Sequence, residues 1–565
     1  MTPHLAQPKS LRLFFAWAFL MTRITRKQFL ALGAAGLAGA GLLGVEKFAG
    51  PAAATPPAVP GTLVGASSAI GHRLRSGGFP PPSETRSAGL VIVGGGMAGL
   101  GAGYRLAKAG FDDFLLLDLE AAPGGNAASG RNAVSAYPWG AHYVPLLTQE
   151  ARAVRALFED LNIITGYGAN GAPVYDEYAL CADPQERLYR YGRWQEGLVP
   201  AIGVTPDEEA EYRRFFAAMA AFRQRIGSDG KRAFAIPIDL SSQDADLTAL
   251  DAITMTQWLQ REGYRSPNLA WYINYGCRDD YGTEAQHVSA WAGIHYFAAR
   301  NGRAADADDQ GLVTWPEGNG YLAHRLAAAL GDKVRIRQLA FHVETRDDGV
   351  VLDVWDAAAD KVYRLQAKAA ILATPHFVTA RLTGDPALAT GFSYAPWVVA
   401  NITLSAMPAG LGAELSWDNV IFDSSLLGYV VATHQATQMR PLATVLTYYW
   451  PISHLPPEDA RRGALARRLE DWQAIFLKEL LAVHPELDGH VERCDVWVWG
   501  HAMIRPEPGF IWGEQRRRSL AQKPPLFTAH SDMSGISIFE EAYTHGVRAA
   551  ENAMAYAGHG FETVL

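Results

Sequence analysis

Cysteine is nearly missing from this chain. Cys181, Cys277 and Cys494 are the only three in 565 residues. An odd number of widely spaced cysteines makes no disulfide framework, no C-x-x-C metal knuckle and no C-x-x-C-H haem attachment point. Charge is sparse too, at 19% of residues, and basic charge sparser, with 50 Lys and Arg against 58 Asp and Glu. That balance argues against a nucleic-acid partner. Long apolar runs are also wanting. The uncharged stretch Phe29–Val45 has 17 residues, ten of them Gly or Ala, and is short and weakly apolar for a membrane span. Lysine is absent between Lys368 and Lys478. No Ser-His-Asp arrangement, metal-ligand spacing or haem motif stands out among the 16 histidines.

What the chain does have is bulk and rings. At 565 residues it exceeds one hydrophobic core, so two or more domains are expected. Its 49% hydrophobic content marks an ordinary globular protein, and its 15 Trp suit either a large core or apolar cofactor and substrate pockets. Near the N-terminus, Arg23, Arg26 and Lys27 precede Phe29-Leu30 and the uncharged run. T-R-K-Q-F-L resembles a twin-arginine export signal with Lys27 in the second basic place. Residues 1–54 are therefore expected to be the signal, ending at the small residues Ala52–Ala54, with Met21 as the true start and an uncleaved anchor as the alternative. Residues 55–87 read as a Pro-rich linker. Removing residues 1–54 leaves 44 basic and 57 acidic side chains, a net charge of −13 that suits a cationic substrate. An exported or periplasmic protein that folds before export could carry a tightly bound cofactor.

Leu90–Val93 is a β-branched run of the kind that forms a buried parallel strand, and G-G-G-M-A-G follows it. In that turn Gly94 opens the bend, Gly96 lets backbone approach a pyrophosphate and Gly99 permits close helix–strand packing. Met97 and Ala98 start a helix whose free N–H groups and positive dipole end favour phosphate. Phe114–Asp118 is the next strand, and Asp118, 24 residues after Gly94, can accept from ribose hydroxyls, with Glu120 as its competitor. Strand, turn, helix, strand and acid together specify a dinucleotide far better than the glycines alone.

Six residues after Asp118 come Gly124-Gly125, and the chain here resembles the flavin-containing amine oxidase superfamily. In that family this second glycine pair passes close to FAD and is usually followed by Arg; this chain has Asn126. Four further blocks resemble the family in order: Tyr137–Val144 beside the flavin, Thr314–Leu330 returning to the FAD domain, the strands around Ala340 and A-T-P at 373–375, and Pro525–Ala553. The resemblance implies that Ala340 meets adenine and that Asp532 lies in the ribityl–pyrophosphate region. It implies an α/β fold: a discontinuous FAD-binding Rossmann-like domain (88–148, 311–389, 513–565) with an inserted mixed α+β substrate domain (149–310, 390–512). FAD is expected to be bound non-covalently. The export signal, the C-R-D-D-Y-G-T stretch (277–283) and Leu427–Gln435 look most like spermidine dehydrogenases, some of which also carry a b-type haem.

For the substrate side, Arg278, Asp279, Asp280, Glu284, His287, Trp291, His295 and Tyr296 crowd into nineteen residues. They read either as a pocket wall with carboxylates for an amine, Asp280 foremost, or as a helix start capped by Asp280 or Thr283 with Trp291, Ile294 and Phe297 as its core stripe. His295 reads as an interior histidine. Trp499 and His501 lie where the family supplies an aromatic side wall, though V-W-V-W is also plain strand patterning. Glu317, in P-E-G-N-G, is either near the flavin edge or a solvated turn residue. Many family members hold a water at the flavin with a lysine; Asn401 stands where that lysine is expected. The resemblance therefore implies amine oxidation by hydride transfer to flavin, with an electron carrier rather than dioxygen as acceptor and peripheral membrane association as a further expectation. The alternatives are a carotenoid desaturase- or protoporphyrinogen oxidase-like flavoenzyme and a non-catalytic escort-type binding protein.

Overall fold

The computed structural model describes residues 59–308, 311–437 and 441–565. The expected export signal at 1–54 and its candidate start Met21 lie outside the described residues.

Strand β1 (Leu63–Gly65) comes first, followed by β2 (Thr85–Val93), helix α1 (Met97–Lys108) and β3 (Phe114–Leu117). The chain then makes β4 (Glu186–Arg190), β5 (Arg193–Glu196) and three helices, α2 (Pro206–Gln224), α3 (Pro267–Tyr281) and α4 (Ala290–Ala298). Helix α5 (Gly320–Leu330) leads into β6 (Val334–Arg335), β7 (Gln338–Arg346), β8 (Gly349–Asp356) and β9 (Lys361–Leu372), and α6 (His376–Thr383) follows. Next come β10 (Tyr394–Leu404), β11 (Asp418–Ile421), β12 (Tyr429–Val431), β13 (Thr444–Pro451), α7 (Pro457–Ala466) and β14 (Val491–Ile504). Strand β15 (Leu526–Thr528) and helix α8 (Phe539–Tyr556) complete the fold.

Two sheets organise these elements. The first has seven strands in the order β6-β3-β2-β9-β8-β7, with β15 pairing β9. Its β2, β3, β6, β9 and β15 run parallel, while β7 and β8 form an antiparallel arm. Leu90, Val91 and Ile92 are fully buried in β2, as a parallel strand covered on both faces requires. Strands of this sheet come from three separate stretches (85–117, 334–372 and 526–528), so the dinucleotide-type domain is discontinuous. The second sheet is mixed and has eight strands, β1-β14-β10-β13-β12-β11-β4-β5.

Small residues let the helices approach the first sheet and one another. A Cβ on Gly546 of α8 would sit 2.0 Å from the Ala98 carbonyl oxygen of α1, and one on Gly101 would sit 2.8 Å from Tyr543. The glycine- and alanine-rich helix that follows the fingerprint is therefore a packing surface for α8.

Residues 63–76 depart from the expected linker. They form β1, which pairs parallel with β14, and two short helices at Ser68–Gly71 and Arg73–Ser76. Proline content alone suggested an unpacked segment, but β1 finds a strand edge, and Val64, Ile70 and Leu74 find apolar clusters to pack against.

Candidate active site

At the end of β2 the three fingerprint glycines do three different jobs. Gly94 has φ +105°, and a Cβ there would lie 2.4 Å from the Ala373 carbonyl oxygen. A Cβ on Gly99 would lie 1.8 Å from the Gly94 carbonyl oxygen, so this position is required for helix–strand packing. Gly96 is different: nothing but the Gly125 Cα, at 3.9 Å, stands near its missing Cβ. It faces a cavity of about 1640 Å³. Gly96 precedes helix α1 and Ile538 precedes α8 as their N-terminal capping residues, neither with a side-chain cap, and both N-termini border this cavity. Uncapped N–H groups and two positive dipole ends suit a phosphate-bearing ligand.

Gly94, Gly96, Met97, Ala98, Asp118, Gly124, Gly125, Asn126, Ala340 and Asp532 all line the cavity, with Gly99 packed behind the turn. The carboxylates nevertheless have protein partners. Asp118 accepts from the Gly95 and Glu120 N–H groups, at 2.5 and 2.6 Å, which shapes the turn; burial pushes its pKa up to about 6. Glu120 accepts from the Ser67 N–H and hydroxyl at 2.8 and 2.6 Å. Asp532 accepts from the Tyr394 hydroxyl at 2.6 Å and the His376 N–H at 2.9 Å, and lies 3.0 Å from His530 Nδ1. Burial opposes its charge, but His530, His376 and Tyr394 outweigh that and hold its pKa well below the usual range. A bound ribose or ribityl chain would use the remaining lone pairs of these carboxylates.

Next to this cavity, and sharing with it the walls at Asn126, Asn319, Trp499 and Ala502, lies a chamber of about 130 Å³. Asn319 is 1% exposed; its Nδ2 donates to the Tyr143 carbonyl, and its Oδ1 is buried with no partner. A buried acceptor left open at the junction is the kind of group a bound ligand satisfies.

The chamber's charged groups come from three places. Asp279 and Asp280 end helix α3, Arg300 follows α4, and Glu540 sits in the first turn of α8. Arg300 pairs with Asp280. Asp279 has no hydrogen-bond partner among the described residues, and burial, then the neighbouring Asp280, push its pKa up to about 7. Burial likewise raises Glu540 to about 7. Aromatic walls complete the chamber. His142 stacks on Tyr449 with ring centres 4.5 Å apart, and burial lowers its pKa to about 4, so it stands neutral beside Trp397 and Trp499.

The crowded 278–296 stretch thus divides. Asp279 and Asp280 do not begin a helix, as the capping reading expected; they end one, closed by Gly282 in the left-handed conformation at φ +59°. Trp291, Ile294 and Phe297 are buried in the core, and His295 is interior, bonded to the Ala235 carbonyl at 3.0 Å. Arg278 turns away to the Ser424 and Ser425 carbonyls.

Of the other candidates, Trp499 lines both spaces; its Nε1 donates to the Trp139 carbonyl at 2.6 Å and its ring stacks on Trp497 at 4.7 Å. His501 lines the large cavity and stacks on Phe377 at 4.4 Å. Two candidates move away from the site. Asn401 lines neither space: buried in β10, it donates to the Pro138 carbonyl at 3.0 Å and accepts from the Thr447 hydroxyl at 2.6 Å. The chamber-facing residues of that strand are Trp397 and Val399. Glu317 also lines neither space, and Asn319, two residues on, takes its place. Sequence reasoning named none of His142, Arg300, Tyr449 and Glu540 individually; His142 and Glu540 fall within the blocks Tyr137–Val144 and Pro525–Ala553, and Arg300 and Tyr449 sit in no recognisable spacing.

Comparison with known proteins bears on the fold. Residues 92–161 match a family model described as an NAD(P)-binding Rossmann-like domain. In overall structure the chain is similar to putrescine oxidase bound to putrescine, at 16% identity and a TM-score of 0.60, over 83% of this chain and 100% of that one. It is also similar to cyclohexylamine oxidase from Brevibacterium oxydans (15% identity, TM-score 0.58, 84% and 99% covered). A fatty acid isomerase from P. acnes that produces conjugated linoleic acid scores alike (14% identity, TM-score 0.58, 82% and 98% covered). No curated protein matches the chain in sequence. The fold is therefore shared by enzymes acting on unlike substrates, and only the chamber's chemistry can select among them.

Proposed function

We propose that the chain is an FAD-dependent oxidoreductase that oxidises an amine, a polyamine-type substrate among the candidates. The observation that carries this reading is Asp279, an unpartnered carboxylate in an aromatic chamber that adjoins the dinucleotide cavity. Three carboxyl groups, Asp279, Asp280 and Glu540, share the chamber with one guanidinium, and Arg300 is already paired with Asp280. A cationic ligand gains a partner there; a carboxylate ligand would meet Asp279 and Glu540 and would have to displace Asp280 from Arg300. The fatty-acid-type reading is the weaker for that reason.

FAD, when bound, supplies the hydride acceptor. The protein's residues orient the substrate: Asp279 draws the ammonium end in, and Tyr449, Trp397 and Trp499 wall the C–H-bearing carbon and exclude water. The neutral amine must form before a hydride can leave, and a carboxyl group with a pKa of about 7 is poised to take that proton. No lysine lines either space among the described residues, which supports an electron carrier rather than dioxygen as acceptor.

The test is uptake of FAD followed by turnover of matched amines and carboxylic acids, with a dye or dioxygen as acceptor. The expected result is dye reduction with amines only and slow reaction with dioxygen. Turnover of carboxylic acids with no response to amines would replace this reading with the fatty-acid-type one.

A further inference from the structure

Residues 62–76 form a strap along one wall of the large cavity, tied to both sheets. At one end β1 pairs with β14, and Asp495 accepts from the Thr62 N–H and hydroxyl at 2.8 and 2.7 Å. At the other, Glu120 just beyond β3 accepts twice from Ser67, and the Arg73 guanidinium lies over Trp355 at 4.0 Å and Phe79 at 4.6 Å. On the same strap His72 and Arg75 wall the cavity.

Arg461 of α7 lines the same cavity. Its Nε donates to the Gly500 carbonyl at 2.7 Å and Nη2 to the Tyr394 carbonyl at 3.3 Å, while Nη1 meets no acceptor. Arg75 has no acceptor and no ion-pair partner among the described residues, and Glu458, near Arg461, forms no ion pair with it. These cations converge on His501: burial first, then Arg461, Arg75 and His72 push the pKa of that imidazole down to about 4. Meanwhile Asp118, Glu120 and Asp532 are held by protein donors, and Asn126, where the family resemblance expects Arg, donates to the Ala502 carbonyl and brings no charge. Among the described residues the cavity thus has two arginines without an acceptor, Arg75 and Arg381, a third, Arg461, with Nη1 open, and a glycine turn whose backbone offers dipoles but no full charge. A pyrophosphate answers both.

We propose that Arg75 and Arg461 hold the pyrophosphate of the bound dinucleotide as a second, cationic set of contacts beside the glycine turn, which makes residues 62–76 the latch that retains it. This rests on the FAD reading above and adds to it the residues that keep the cofactor in place.

The test is the rate of FAD release from the full protein, followed by recovery of flavin fluorescence on dilution, in wild type, Arg75→Ala and the double variant Arg75→Ala/Arg461→Gln. Each lost charge-assisted contact is expected to speed release about tenfold, and added salt to speed release in wild type far more than in the double variant. Ser67→Ala, which removes no charge, also speeds release by loosening the strap. Riboflavin, which has no pyrophosphate, is expected to bind the variants within about twofold of wild type. Unchanged FAD release overturns the proposal, as does an equal loss of FAD and riboflavin affinity, which marks a merely structural role. If wild type takes up no flavin, the proposed function falls and the latch with it; normal uptake with unchanged variants sinks the latch alone.

Discussion

Asp279→Asn removes a chamber carboxylate that no donor among the described residues holds and keeps its volume. A charge-assisted hydrogen bond contributes about 1.5–3 kcal/mol net, so losing it lowers kcat/KM for an amine by about 10- to 150-fold. A bare Coulomb estimate at 4 Å and an effective dielectric of 20 gives about 4 kcal/mol, an upper bound because the ammonium also gives up its hydration. The effect depends on pH. With a pKa of about 7, Asp279 is largely ionised at pH 8 and largely neutral at pH 6. The gap between wild type and variant is therefore widest near pH 8 and narrows several-fold by pH 6. Because kcat/KM reports the free enzyme, its acid limb flattens in the variant, and Glu540, with a similar pKa in the same chamber, keeps part of it. Stability moves the other way. A carboxyl group whose folded pKa is raised contributes stability below its unfolded value of about 3.8 and loses it as pH rises through 7. The variant escapes that loss, so its Tm at pH 8 is no lower than wild type. Steady-state kinetics from pH 6 to 9 with parallel melting curves decide the matter. Equal loss of kcat/KM at every pH, or none at all, refutes the reasoning.

Asp280→Asn acts on stability instead: it strands Arg300, which costs about 3 kcal/mol, and thermal unfolding should show a lowered Tm that Asp280→Asn/Arg300→Gln partly restores. Gly96→Ala leaves the Tm of the flavin-free protein close to wild type but blocks FAD uptake, because its methyl enters open cavity; Gly99→Ala meets backbone at 1.8 Å and lowers folded yield. Asn401→Ala leaves the Pro138 carbonyl and Thr447 hydroxyl without partners and destabilises by about 2 kcal/mol, with the rate of flavin reoxidation by dioxygen unchanged.

The dinucleotide half of the molecule was legible because its requirements are local. A buried strand, a glycine turn and a helix N-terminus are all written within Leu90–Lys108, and the structure gives Gly94 and Gly99 a steric reason while Gly96 stands open to the cavity. Asp118 was legible as a position but not as a bond: its side chain shapes the turn through Gly95 and Glu120. The chamber was less legible because it is assembled from distant pieces. His142, Arg300, Tyr449 and Glu540 come from four separate parts of the chain, and Tyr449 lies in a strand buried throughout, with no alternation to mark it. Asn401 shows how position along a strand misleads. It shares the face of Val399 on β10, but two residues on it has passed the chamber wall into a structural hydrogen-bond pair. The strap was missed because Pro and Gly between Ala54 and Ser87 resemble a linker, and only the tertiary partners Asp495 and Glu120 show otherwise.

The central claim is that an amine placed against Asp279 delivers its electrons to a flavin lying along the Gly94–Met97 turn. Anaerobic titration of the FAD-loaded protein with an amine, followed through the visible flavin band, tests it most directly. The account predicts bleaching that is complete at one equivalent of amine per flavin and absent with the matched carboxylic acid. A band that persists with every amine, or that bleaches with the acid, would contradict it.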